Sequence, residues 1–120
     1  MPGPEELRVP DVEFRCEQDG EPERALKKQL IANPLFAASV FEAYLMRVSY
    51  PGEPDERVAL CVVVRNEAVA PVVAAASEEF RRLFRTDQAL DILRLTKELR
   101  EQARSLADPF FTRAGSASTQ

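Results

Sequence analysis

Five consecutive residues, Pro51-Gly52-Glu53-Pro54-Asp55, constrain the fold more than any other stretch, because neither a helix nor a strand runs through two prolines and a glycine so closely spaced. The chain on either side has strand character. Residues 41–50 alternate, with Tyr44, Met46, Val48 and Tyr50 on one face and Ala43, Leu45, Arg47 and Ser49 on the other, the period of a half-buried strand whose second, more polar face is expected to meet water. Residues 57–65 place VALCVVV between two arginines. That run is apolar on both faces, which suits a central strand covered on both sides or one lying at a dimer contact. The two segments are expected to pair as a hairpin.

Helical signals flank this hairpin. In residues 22–33, Leu26, Leu30 and Ile31 recur at helical spacing, a proline occupies the first turn, and Glu23 stands four residues before Lys27. Pro34 is expected to end that helix. A turn over residues 66–70 leads to a helix over 71–84 with a buried stripe of Val73, Ala76, Phe80, Leu83 and Phe84. A third strand is expected over residues 89–95, then Thr96 as the cap of a last helix with Leu99, Ala103 and Leu106 on one face, closed by Asp108-Pro109. The first dozen residues read as an extended lead-in that adds little core, and the polar residues 115–120 as a disordered tail.

The expectation is therefore an α+β domain in the order α-β-β-α-β-α, a small three-stranded mixed or antiparallel sheet with helices packed on it, spanning residues 1–114. Whether the third strand lies beside the second or the first is open. A chain of 120 residues suits one domain, able to bury roughly two thirds of its unfolded surface.

Composition excludes more chemistry than it suggests. The chain has no histidine, which removes Ser-His and Cys-His nucleophiles, the usual neutral-pH base and most transition-metal sites. With four glycines and neither GxGxxG nor GxxxxGK[ST], no phosphate-cradling loop is expected, and no cofactor or metal. Its 20 acidic and 16 basic residues are interspersed, and the densest basic group, Arg81, Arg82 and Arg85, follows Glu78 and Glu79, so no nucleic-acid partner is expected. The apolar runs are too short to cross a bilayer and no leader is evident, so a cytoplasmic location without membrane association is expected.

Glu53, Asp55, Glu56, Glu78 and Glu79 read as solvated surface, because acid/base use of a carboxylate needs a cleft that shifts its pKa. Cys61 reads as a small buried hydrophobe and Cys16 as exposed. Phe80, Phe84 and one of Phe110 and Phe111 are assigned to the core. Tyr44, Arg47, Tyr50, Phe110, Phe111 and Arg113 are the candidate contacts for a partner, since partner contacts concentrate in such residue types.

The Ala43-Tyr44-Leu45 strand opening, the Tyr50-Pro51-Gly52 turn, Leu90-Asp91-Ile92-Leu93 and the closing Asp108-Pro109-Phe110-Phe111-Thr112-Arg113 resemble the C-terminal domain of the SseB (enhanced serine sensitivity) family, over roughly residues 9–113. The resemblance implies a bacterial, cytoplasmic domain that usually follows a related N-terminal domain, which these residues do not include, and it brings no catalytic residues. The expected function is a non-catalytic protein-interaction or regulatory module, with a protein partner and a possible homodimer. Alternatives are a small-molecule domain, conceivably for an amino acid held by Arg47 or Arg65, and a secretion chaperone or toxin-immunity protein.

Overall fold

The computed structural model describes residues 12–84 and 90–113. The expected hairpin is its centre. β2 (Val40–Ser49) and β3 (Arg57–Val64) pair antiparallel with Tyr44 opposite Cys61 and Leu45 opposite Leu60. The turn that joins them begins with Pro51 and Gly52, where Glu53 N–H donates to Tyr50 O at 3.1 Å and Gly52 has φ of 83°. A type II turn demands a positive φ at that third position, and glycine takes it without a Cβ clash.

Three more strands attach to this pair. β4 (Asp91–Arg94) lies parallel to β3, setting Leu60 opposite Ile92, so the third expected strand lies beside the second. β1 (Glu13–Glu17) and β5 (Phe111–Thr112) share the other edge of β2, the first along Met46 to Ser49 and the second along Glu42 and Ala43. The sheet is therefore mixed and five-stranded, in the order β1-β2-β3-β4 with β5 beside β2, rather than three-stranded. Periodicity did not reveal the added strands because β5 has two residues and β1 buries only Phe14 within its length. Backbone bonds hold them instead: Phe110 N–H to Ala43 O at 2.9 Å, Arg113 N–H to Phe41 O at 3.0 Å, and Gln18 N–H to Leu45 O at 2.9 Å.

The helices are α1 (Glu21–Ala32), α2 (Pro34–Ser39), α3 (Val69–Phe84) and α4 (Lys97–Leu106). Pro34 ends α1 as expected but also opens α2, because a proline fits a first helical position and the Asn33 carboxamide oxygen caps the new helix by accepting from Leu35 N at 3.0 Å and Phe36 N at 3.1 Å. α3 begins two residues before Pro71, after a 3-10 turn over Asn66–Ala68. Thr96 caps α4 as predicted, its Oγ1 accepting from Leu99 N at 3.2 Å.

These elements form three layers. α4 packs on one face of the sheet, burying Leu99 and Ala103 against Phe14, Tyr44, Met46 and Cys61. On the other face α1, α2 and α3 bring Leu26, Leu30, Phe36, Val72 and Ala76 over Leu45 and Leu60. The Ala43 and Leu45 face of β2 is thus dry rather than wet, at 0% and 1% exposure, because three helices cover it. Helices of this same chain also cover both faces of β3, whose apolar character therefore needs no second copy. A bulge at Phe41 makes this possible by shifting the strand's phase, so that Val40 faces the three-helix side and Glu42 the α4 side.

Two helix faces are rotated from expectation. Val72 rather than Val73 is fully buried in α3, and Glu79, expected at the surface, is buried too. In α4, Leu106 is 49% exposed while Ala107 takes its place against the core. The extended lead-in, the start of the third strand at Ala89 and the tail from Gly115 lie outside the described residues.

Leu60 packs at 0% exposure in the middle of the sheet, so Leu60→Ala is expected to cost about 3 kcal/mol in urea unfolding, against under about 0.5 kcal/mol for the exposed Leu106→Ala.

Candidate binding cleft

Where the hairpin end of the sheet meets α1 and α3, the packing leaves a cleft of about 570 Å³. Leu26, Leu45, Val58, Phe80, Phe84 and Leu90 supply its apolar lining, and Glu23, Asp55, Glu56, Arg57 and Asp91 its charged rim. Helix periodicity explains how two elements contribute: Glu23 and Leu26 stand three residues apart on α1, and Phe80 and Phe84 four apart on α3, so each pair shares one face. The two phenyl rings lie 4.8 Å apart at 37° and form one wall. Both rings, with Val58 and Leu90, are only partly buried.

The rim is held by two groups of ion pairs and hydrogen bonds. Asp91 accepts Arg57 Nε at 2.8 Å and Arg57 Nη2 at 3.2 Å, and receives the Tyr50 hydroxyl at 3.1 Å. Burial, reinforced by the Asp91 carboxylate, pushes the Tyr50 hydroxyl up, which keeps it a donor. The same carboxylate raises the Arg57 guanidinium further above its ordinary value. Glu56 takes Arg15 Nε at 3.0 Å and Arg47 Nη1 at 3.5 Å, while Arg47 Nε donates to Gln18 at 3.1 Å. Glu23 Oε1 accepts Gly20 N–H at 3.0 Å and its Oε2 accepts Gln18 Nε2 at 3.3 Å. Asp55 has no hydrogen bond or ion pair among the described residues.

None of the six residues singled out for partner contact lines the cleft. Arg47 and Tyr50 support its rim from behind, through Glu56 and Asp91. Tyr44 is 1% exposed beneath α4, so a partner cannot reach it. Phe110 lies under Lys27 Nζ at 5.8 Å and Phe111 against Phe36 at 6.0 Å, both half-buried. Arg113 lies 4.4 Å over the Phe41 ring, donates to Ala38 O, and stands at the opposite end of the sheet from the hairpin. Arg65, one of the two arginines considered for a ligand carboxylate, lies 5.9 Å over that same ring. Phe80, Phe84 and the hairpin acids were assigned to core and solvent, and their joint placement depends on a contact between α3 and the hairpin that no local pattern encodes.

Two other sites were considered and carry no chemistry here. Cys61 is 0% exposed and burial pushes its thiol up, so it behaves as the expected hydrophobe; Cys16 is exposed, and both are free. On the α4 face, Glu42 is 9% exposed and accepts a bidentate fork from Arg100, Nε at 2.8 Å and Nη2 at 2.7 Å, with the Tyr44 hydroxyl donating at 3.1 Å. Arg100 holds the Glu42 carboxyl below its usual range against the opposing effect of burial. The arrangement fastens α4 to the sheet and fills the acceptor sites that a catalytic carboxylate would need free.

Comparison with family models, with curated proteins and with solved structures gives no match. Among the described residues no helix is long and apolar enough to cross a membrane.

Arg100→Leu is expected to lower stability by about 1–2 kcal/mol at neutral pH, less than for a fully buried pair because the guanidinium is 42% exposed. A depressed folded pKa gives stability that is present above the unfolded value of about 4.3 and lost as pH falls through the folded one. The gap between wild type and Arg100→Leu should therefore close on acidification, as read by urea midpoints across a pH series.

Proposed function

We propose that the protein is a non-catalytic protein-interaction module whose working surface is the cleft between α1, α3 and the hairpin, and that the cleft receives an apolar side chain of another protein. The cleft's own make-up carries this reading: about 570 Å³ lined by six apolar side chains, with half-buried phenyl rings at its wall. Anchors of this kind contribute most of the binding energy in protein interfaces. The rim carboxylates of Glu23, Glu56 and Asp91 are already committed to hydrogen bonds and ion pairs, and Cys61 is out of reach, so binding is favoured over catalysis.

A small-molecule site is the second reading, because the volume falls in the range such sites occupy. The hairpin lip, residues 51–57, is exposed throughout. Small-molecule sites enclose most of their ligand, and an open lip suits a side chain projecting from a larger surface. The proposal extends to a bacterial cytosolic protein akin to the SseB C-terminal domain, supported by the strand, turn and closing residues quoted above.

The test is capture of partners from native lysate by wild type, Phe84→Glu and Leu106→Glu. Phe84→Glu should weaken the stoichiometric partner about 30-fold, equivalent to about 2 kcal/mol for a lost anchor, while Leu106→Glu on the opposite side of the sheet retains it. Equal capture by both variants, with circular dichroism and melting unchanged, would place the contact elsewhere. Failure to capture any partner, with the purified protein stabilised by a member of a small-molecule panel, would favour the second reading.

A further inference from the structure

We infer that the segment entering the cleft is cationic: an apolar anchor flanked by lysine or arginine on the partner protein. This deepens the reading above and rests on it. Apolar lining alone would admit any hydrophobic side chain, so selectivity must come from the rim. Among the described lining residues four are carboxylates, Glu23, Asp55, Glu56 and Asp91, and one, Arg57, is a cation. Arg57 is already matched, to Asp91 at 2.8 Å and to Glu53 at 3.7 Å. No unmatched cation is left among the described lining residues to meet an acidic partner.

Acceptor capacity points the same way. Each ionised carboxylate offers about four lone-pair sites. Glu56 uses part of its set on Arg15 and Arg47, Glu53 meets Arg57 only at 3.7 Å, and Asp55 is exposed with no partner among the described residues. An incoming ammonium or guanidinium would therefore find open acceptors beside the aromatic wall. An incoming carboxylate would meet like charge, which costs affinity and slows encounter. Arg65 and Arg113, which flank Phe41, and Arg94, which donates to Val64 O, stand at the far end of the sheet, away from the cleft.

The experiment is selection of random dodecamer peptides displayed on phage against immobilised full-length protein, followed by affinity measurement with the most enriched peptide in synthetic form. The enriched set should place Phe, Leu or Met beside Lys or Arg. The synthetic peptide should bind Asp55→Lys at least about five-fold more weakly than wild type, and more weakly as NaCl rises from about 50 to about 500 mM, as an exposed charge contact requires. Asp55 is exposed and makes no bond to another described residue, so that variant is expected to retain the fold, as circular dichroism would check. Enriched peptides that are apolar without a basic excess, or an affinity indifferent to Asp55→Lys and salt, would overturn this inference while leaving the cleft reading intact, provided Phe84→Glu still abolishes binding. If no enriched peptide depends on Phe84, both readings fall together.

Discussion

Backbone pairing between β2 and β3 puts Tyr44 opposite Cys61 and Leu45 opposite Leu60, and every other element attaches to that ladder. β4 adds on the β3 side, β1 and β5 divide the free edge of β2, and the helices sort onto the two faces according to which side chains the ladder presents. Four consecutive β3 residues, Ala59 to Val62, are at most 2% exposed, so the strand cannot be wetted from either direction without opening a whole layer. Such a centre concentrates the hydrophobic driving force and leaves specificity to the periphery.

Polar contacts then determine how the layers sit on this centre. Glu42 and Arg100 anchor α4, Asn33 Nδ2 donates to Glu79 Oε2 at 2.9 Å where α1, α2 and α3 meet, and Tyr50, Asp91 and Arg57 join the hairpin to β4. Each contact joins residues distant in the chain, and all but the exposed Arg57–Asp91 pair are partly shielded from water, where a charged hydrogen bond is costly to leave unmade. The cleft lies beside these fastenings, with Glu56 and Asp91 of its rim held by ion pairs.

The hairpin, α1, α3 and the Thr96 cap were legible because they rest on local rules: spacing of apolar residues, turn chemistry and a hydroxyl at a helix start. β1 and β5 were not, since neither repeats a pattern long enough to be seen and both exist because β2 has an edge to fill. Glu79 and Glu42 were unreadable for a related reason. A carboxylate alone reads as surface, and what makes each buried is a partner far away in sequence. The same limit applies to the cleft. Tyr44, Arg47, Tyr50, Phe110, Phe111 and Arg113 were chosen by residue type, and only the folded chain shows that Tyr44 is sealed beneath α4 and that Arg47 and Tyr50 touch the rim indirectly. Phe80 and Phe84 looked like core because an apolar helix face does not declare how much of it the sheet will cover.

The bulge at Phe41 bears on how such a chain can change over generations. Because it sets the phase of β2, gaining or losing one residue between it and Ser49 would turn Tyr44 and Leu45 onto each other's sides and spoil both layers together. The exposed stretch from Pro51 to Glu56 carries no such phase, although a side chain at Gly52 would be strained by its φ of 83°. Length variation among descendants should gather in that stretch. Since it is also the lip of the cleft, lineages could diverge in what they accept while inheriting the same interior.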